Sequence, residues 1–237
     1  MLSAVIIAKD EADRIEAAVR SVAFADEVVV LDSGSKDATA QIATAAGARV
    51  VHTDWPGFVA QKNRAWAEAR GEWVLSIDAD EVVSDALRKA IVAALIHPAA
   101  EGFTVNRQTR WLGHSLRHGF AFPDTRLRLA RRDCGTWVGR DPHDRLQVNG
   151  RTAALEGDLV HDPYRSFAEH LATLDRYSAL DARSGTPLDV LVRPPWHFFR
   201  GYLLKGGCRD GWPGLAFAAM GAFYTFLKWS RRRWAPP

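Results

Sequence analysis

Trp73-Val74-Leu75-Ser76-Ile77-Asp78-Ala79-Asp80-Glu81 decides how the rest of this 237-residue chain is read. An apolar run of strand length ends in two carboxylates spaced i, i+2, with a third beside them. Strand side chains alternate with period 2, so Asp78 and Asp80 point the same way if the extended geometry continues through Ala79. Two anions held together at the carboxyl end of a strand are costly unless a cation joins them. A hard divalent ion bound through oxygen is the usual answer, commonly with nucleotide phosphate completing the shell. Glu81 and Asp85 have a plainer explanation, because acidic residues next to a helix N-terminus complement its dipole.

Around this stretch the first hundred residues alternate strand and helix. Strands are predicted at Leu2–Ala8, Glu27–Leu31, Arg49–His52 and Trp73–Asp78, and helices at Glu11–Val22, Asp37–Ala46, Val59–Ala69 and Ser84–Ile96. Apolar residues recur at helical spacing in the first helix, Gly47 and Gly71 stop the second and third, and Ser84 is a good N-cap for the fourth. Such βα alternation predicts an α/β fold, a mainly parallel sheet sandwiched between helices. Ligands of these sheets gather at the carboxyl ends of the strands. Asp10, Asp32, Asp78 and Asp80 all fall on that edge.

From Gly102 to about Val160 the pattern changes to short β-like pieces, Phe103–Arg107, Arg126–Ala130 and Arg145–Val148, with polar and aromatic loops suited to completing a substrate pocket. Ser166–Ser184 reads as a helix, and Pro187–Pro195 as a linker into a C-terminal tail. Residues 1–192 are therefore expected to form the nucleotide-binding domain and residues 193–237 a helical extension.

Hydrophobic content of 47% and charged content of 25% are those of a globular protein. Cys134 and Cys208 have neither zinc-site spacing nor a disulfide pattern, which points to a reducing compartment. The run Ala4–Ala8 is too short for a secretory signal and reads as the first strand. The net charge of +3 hides an asymmetry: from Arg193 onward eight basic residues face the single acid Asp210, alongside eleven of the chain's 24 aromatic residues. Basic plus aromatic suggests an anionic membrane interface; nucleic acid is the competing partner. Gly211–Leu227 is uncharged but, at about 17 residues, sits at the bottom of the spanning range, so an interface-lying or core-docked helix is expected in preference to a span.

Taken in order, the motifs resemble family 2 glycosyltransferases of GT-A fold, in particular the lipopolysaccharide-core β-glucosyltransferase group. They are Ala8-Lys9-Asp10-Glu11-Ala12, Val30-Leu31-Asp32-Ser33-Gly34-Ser35-Lys36-Asp37, Gln61-Lys62-Asn63-Arg64-Ala65, Gly71-Glu72-Trp73 with Asp78-Ala79-Asp80-Glu81, then Pro123-Asp124, Arg128-Leu129, Arg131-Arg132, His143-Asp144 and His161 with Tyr164. The resemblance implies an inverting, metal-dependent transfer from a nucleotide-sugar donor, UDP-glucose above others, to a lipopolysaccharide-core or other lipid-linked acceptor. The setting it implies is the inner face of the cytoplasmic membrane, with an anionic membrane surface and not nucleic acid as partner.

By the same resemblance Asp32 accepts a hydrogen bond from the nucleobase, although an Asp in Asp-Ser-Gly is equally at home in a turn. Asp10 stands where many relatives carry Asn, and Lys62 approaches the base or diphosphate. Asp78 binds the ribose or the metal, Asp80 binds the Mg2+ or Mn2+ that bridges the diphosphate, and Arg128 lies near the donor. Relatives place Glu after a His where this chain has His143-Asp144, which makes Asp144 the candidate base for the acceptor hydroxyl and Asp124 the reserve. His143 and His161 are candidates for orienting loops or acceptor groups, and Trp111, His114 and His118 fall in the expected acceptor loop. Two other readings remain. Asp78-Ala79-Asp80-Glu81-Val82 also fits the phosphotransferase signature of the haloacid-dehalogenase superfamily with Asp78 as nucleophile, although three βα units precede it. A non-catalytic sugar-nucleotide-binding membrane protein is the second.

Overall fold

The computed structural model describes residues 1–141, 143–183 and 185–231. In chain order the elements are β1 (Leu2–Ala8), α1 (Ile15–Ser21), β2 (Glu27–Asp32), α2 (Thr39–Ala45), β3 (Arg49–His52), α3 (Phe58–Glu68), β4 (Trp73–Asp78), β5 (Glu81–Val83), α4 (Asp85–Ile96), β6 (Gly102–Trp111), β7 (His114–Ser115), β8 (Thr125–Arg131), β9 (Gly135–Arg140), β10 (His143–Val148), β11 (Thr152–His161), α5 (Phe167–Leu180), α6 (Pro187–Phe199) and α7 (Gly211–Ser230). They form two compact units, residues 1–107 with 125–161, and residues 108–124 with 162–237.

The first unit is the α/β fold that the βα rhythm predicts. Its sheet runs β3-β2-β1-β4-β8-β6-β11-β5. The first four strands are parallel, and β8 joins β4 antiparallel. Order reverses between β1 and β4, where a doubly wound sheet opens a crevice at its carboxyl edge. The β4 side chains alternate: Trp73, Leu75 and Ile77 join the core with Ile15, Val19, Leu87 and Ile91, whereas Val74 packs on the opposite face with Ala65, Trp66 and Trp137. Both faces are thus apolar, as a parallel strand buried on both sides requires. Hairpin β9–β10 forms a separate two-stranded sheet. It is fastened to α3 by Asn63, whose side chain donates to Trp137 O (2.8 Å) and accepts from Trp137 N (3.0 Å).

The structure corrects the strand-end geometry expected of Asp78 and Asp80. The strand stops at Asp78, and Ala79 and Asp80 form a turn that swings Glu81 into β5, paired with β11 through His161. The two carboxylates therefore meet different partners. Glu81 is also not a helix-end acid: it is fully buried, and its Oε2 accepts from Asp78 N at 2.9 Å. The short pieces expected between 102 and 160 are longer strands, with β9 and β11 in addition; exposed Gly, Thr and Arg positions masked their alternation.

The second unit has its own core of Trp111, Leu116 and Ala121, packed by Tyr164, Ala216 and Phe217. Its helix α5 starts at the Ser166 cap, whose hydroxyl accepts from Glu169 N, and ends at Leu180; Ser184, the expected end, lies outside the described residues. The expected linker Pro187–Pro195 is helix α6, and the boundary expected between 192 and 193 falls inside it. A capping box explains this: Thr186 accepts from Asp189 N and Asp189 accepts from Thr186 N, with Pro187 at the first helical position, where its missing N–H costs nothing. Pro194 and Pro195 are accommodated within the helix, which continues into a π-helical turn at Arg200–Leu204. Gly201 in that turn lies against the Phe120 ring, which an added Cβ would meet at 2.7 Å. Helix α7 packs along α6. Among the described residues no helix is long and apolar enough to cross a membrane. Arg232, Arg233 and Trp234, part of the expected basic and aromatic tail, lie outside the described residues.

Candidate functional site

The residues singled out in the sequence fall into three clusters in the first unit. The first joins the loops after β1 and β2. Asp10 adopts a left-handed backbone (φ +56°), which Asp tolerates better than most residues. Its N–H donates to Ser35 Oγ (2.9 Å), and its Oδ1 accepts from Lys36 N (2.7 Å). Ser35 Oγ in turn donates to Asp32, which His52 Nδ1 approaches at 3.1 Å. Asp10 and Asp32 are thereby tied through one serine. Asp32 is buried, and its carboxylate also accepts from Ser35 N at 3.3 Å, the contact that closes the turn. Gln61 completes the frame, donating to Ser33 Oγ (2.9 Å) and Thr53 Oγ1 (2.7 Å).

The second cluster centres on Lys62, almost fully buried on α3. Its Nζ lies 3.0 Å from Asp78 Oδ1 and 2.8 Å from Asp144 Oδ2, and 4.4 Å from the Trp137 ring centroid. Arg128, buried on β8, reaches Asp78 Oδ2 at 2.9 Å and Glu81 Oε1 at 2.5 Å, and Arg107 Nη1 stands 3.6 Å from Glu81. Burial opposes charge on Asp78, but Lys62 and then Arg128 outweigh it and hold the carboxyl far below its usual range. For Arg128, burial is likewise overridden by Glu81 and Asp78, so the guanidinium stays charged. Asp144 reaches Lys62 because β10 pairs with β9 in the register Asp144↔Gly139. Gly139 has φ +117°, and a Cβ there would meet His143 O at 2.4 Å. Lys62, Asp78, Arg128, Trp137 and Asp144 line a cleft of about 410 Å³ together with Arg107, Arg126, His143 and Arg145. Two buried donors in this cluster, Arg128 Nε and Trp137 Nε1, have no protein acceptor, a deficit that a ligand or water relieves.

The third cluster is a pair. Asp80 Oδ2 lies 3.3 Å from His161 Nε2 at the end of β11. Burial raises the Asp80 carboxyl, but the neighbouring imidazole overcomes this and draws it below its ordinary value. Neighbouring ligands of a six-coordinate ion at about 2.1 Å stand roughly 3 Å apart, so this carboxylate–imidazole spacing suits one divalent cation. Among the described residues no three His, Cys, Asp or Glu side chains gather into a cage, so further ligands must come from elsewhere. Asp78 is placed differently, with both oxygens facing cations of the chain.

Sequence reasoning missed the roles of Glu81 and Arg107 and left His161 among loop-orienting histidines. Only the pairing of β11 with β5 brings His161 to this edge, and no local spacing announces it. Trp111, His114, His118 and Asp124 belong to the second unit. There His118 Nδ1 meets Asp210 Oδ1 (2.6 Å) and Trp111 Nε1 donates to His170 Nδ1 (3.0 Å).

Comparison with known proteins adds a family. Residues 3–137, more than half of the chain, match the model of Glycosyl transferase family 2. The lipopolysaccharide core biosynthesis glycosyltransferase LpsC of Rhizobium meliloti is 30% identical, over 95% of this chain and 89% of its own length. The glycosyltransferase RC0292 of Rickettsia conorii is 39% identical over 98% of this chain and 89% of its own. Among solved structures, glucosyl-3-phosphoglycerate synthase from Mycobacterium tuberculosis, crystallised with Mn2+, UDP and glucosyl-3-phosphoglycerate, superimposes with a TM-score of 0.40 and 30% identity over 46% of this chain and 44% of its own.

Proposed function

Because the chain belongs to glycosyl transferase family 2, we propose that it moves a sugar, with inversion, from a nucleotide diphosphate donor to a lipopolysaccharide-core or other lipid-linked acceptor. UDP-glucose is the donor this reading favours, and the inner face of the cytoplasmic membrane its place of action. The relationship to LpsC supports the acceptor class. One observation carries the chemistry. The strand-end acids are sorted by partner, Asp80 beside His161 and Asp78 between Lys62 and Arg128, with Asp144 on the same lysine.

Asp80 and His161 would hold a divalent Mg2+ or Mn2+ ion, and such an ion supplies charge neutralisation for the departing diphosphate. Asp10 and Asp32, braced by Ser35, receive the nucleoside. Asp78 is kept ionised by Lys62 and Arg128, ready to accept from a ribose hydroxyl. Asp144 is the base: it takes the proton of the acceptor hydroxyl as that oxygen bonds to the anomeric carbon, and the bond from that carbon to the diphosphate oxygen breaks on the opposite face. Lys62, with its Nζ 2.8 Å from Asp144 Oδ2, fixes the direction of that carboxyl. The haloacid-dehalogenase alternative is not carried further, because Asp78 ends the fourth strand, after three βα units, and the chain matches the family 2 glycosyltransferase model.

The test is a pair of measurements on Asp144→Asn: sugar transfer, and donor binding read as a rise in melting temperature with UDP-glucose and manganese. Loss of transfer with the thermal shift intact is the expected result. Full transfer by the variant would remove Asp144 as base, and no thermal shift of the unaltered protein with any sugar nucleotide would remove the donor reading. A binding protein without turnover would show the shift and no transfer.

A further inference from the structure

Helix α6 and the π-helical turn after it are built the wrong way round for a helix that only closes a core. The positions that α6 buries are Val190 and Pro194, with His197 half-buried. Its exposed side carries Leu188, Leu191, Val192, Pro195, Trp196 and Phe199, and Leu203 and Leu204 follow in the turn. At 100° per residue the six α6 side chains fall in one stripe about 140° wide that contains no polar residue. Leu191 is 70% exposed, Leu188 68% and Trp196 54%. Trp212, at the start of α7, is 76% exposed. Contiguous exposed apolar side chains of this kind mark an interaction surface.

Exposed cations accompany the stripe. Arg193 is braced by Asp189 (2.7 Å) and by the Trp229 ring (4.1 Å), and Arg200 and Lys205 lie over the Phe120 ring. Arg209 is exposed as well. Leucines and tryptophans on one side with arginines and lysine at the margin match a bilayer interface, apolar below and anionic at the headgroups.

We propose that the exposed stripe of α6 and the following turn, from Leu188 to Leu204, is a membrane-docking surface that lies in the plane of an anionic bilayer. This deepens the membrane-side acceptor reading above, on which it rests. It also relocates the contact from the uncharged stretch Gly211–Leu227, where Gly214, Ala218 and Met220 are buried in the second unit. The stripe inserts its apolar side chains at the level of the acyl–headgroup boundary while Arg193, Arg200, Lys205 and Arg209 meet lipid phosphates. A lipid-linked acceptor is then met by diffusion in two dimensions.

The experiment is sedimentation of the full chain with phosphatidylglycerol–phosphatidylcholine vesicles and with pure phosphatidylcholine vesicles. It uses the unaltered protein, the triple variant Leu191→Glu/Trp196→Ser/Leu203→Glu, and Leu180→Glu as a control on α5, where Leu180 is 67% exposed. All the altered side chains are exposed, and melting temperature checks that each variant folds. We expect binding to the anionic vesicles, at least tenfold weaker for the triple variant and unchanged for Leu180→Glu. Equal binding by the triple variant, or no binding by the unaltered chain, overturns the proposal. So does a dimer of the unaltered chain that the triple variant makes monomeric without any vesicle binding, since the stripe would then be a self-association face. Donor-induced thermal shifts are recorded in parallel. Their absence with vesicle binding intact removes the transfer reading and leaves the docking surface standing.

Discussion

Arg128→Met tests whether the second cluster is held together as described. The guanidinium is buried, and it is the nearest cation to Glu81, which has no exposed surface. Removing one partner of a buried ion pair costs about 3–5 kcal/mol, because the abandoned charge stays in a poor solvent. Arg107 remains 3.6 Å from Glu81, and Lys62 remains on Asp78, so the lower end of the range applies. About 3 kcal/mol corresponds to a fall of about 6–12 °C in melting temperature for a chain of this size. The decisive measurement is a double-mutant cycle with Glu81→Gln, by thermal or urea unfolding. Glu81→Gln removes the charge but keeps an acceptor for Asp78 N, so the double variant recovers part of the loss. We expect a coupling of at least about 1 kcal/mol. A melting temperature within 2 °C of the unaltered protein, or strictly additive effects, would refute the claim that Glu81 depends on Arg128.

Three further outcomes follow from the geometry. Asp80→Asn should abolish the manganese-dependent part of the thermal shift given by UDP-glucose; isothermal titration with Mn2+ and UDP checks it. His170 is stacked on Tyr164, accepts from Trp111 Nε1 and is pushed by burial down to about 4. A folded-state value below the unfolded one means the stabilisation is complete above about pH 6.5 and is lost as pH falls toward 4, about 3 kcal/mol in all. His170→Asn, which keeps an acceptor for Trp111 but does not titrate, should flatten the melting temperature across that window. Thr186→Ala should cost about 1 kcal/mol by removing the N-cap of α6, read as earlier unfolding of the second unit by hydrogen exchange or limited proteolysis.

Much of the first unit was legible because its signals are local. Continuous apolar runs, with Gly47 and Gly71 stopping the helices between them, marked the parallel strands within a residue or two, and Ser84 and Ser166 marked helix starts because their hydroxyls cap the next turn. Helix α6 was misread for an equally physical reason. Three prolines from Pro187 to Pro195 suggest a linker, yet Pro187 occupies the one helical turn that tolerates proline, and the Thr186–Asp189 box outweighs the two later ones. Glu81 was misread because a helix-end acid and a buried ion-pair acid look alike until the chain direction after Asp78 is known.

The sequence alone determined the βα order and the carboxyl-edge placement of Asp10, Asp32, Asp78 and Asp80, since each rests on residue type and short spacing, and its ordered motifs carried the resemblance to the family. Tertiary structure alone decided the partners. Lys62 lies 82 residues from Asp144, Arg128 47 from Glu81, and His161 ends β11, the last strand in chain order. Which cation meets which acid depends on strand order, register and a turn at Ala79, and these follow from the packing of the whole sheet, which no local window contains.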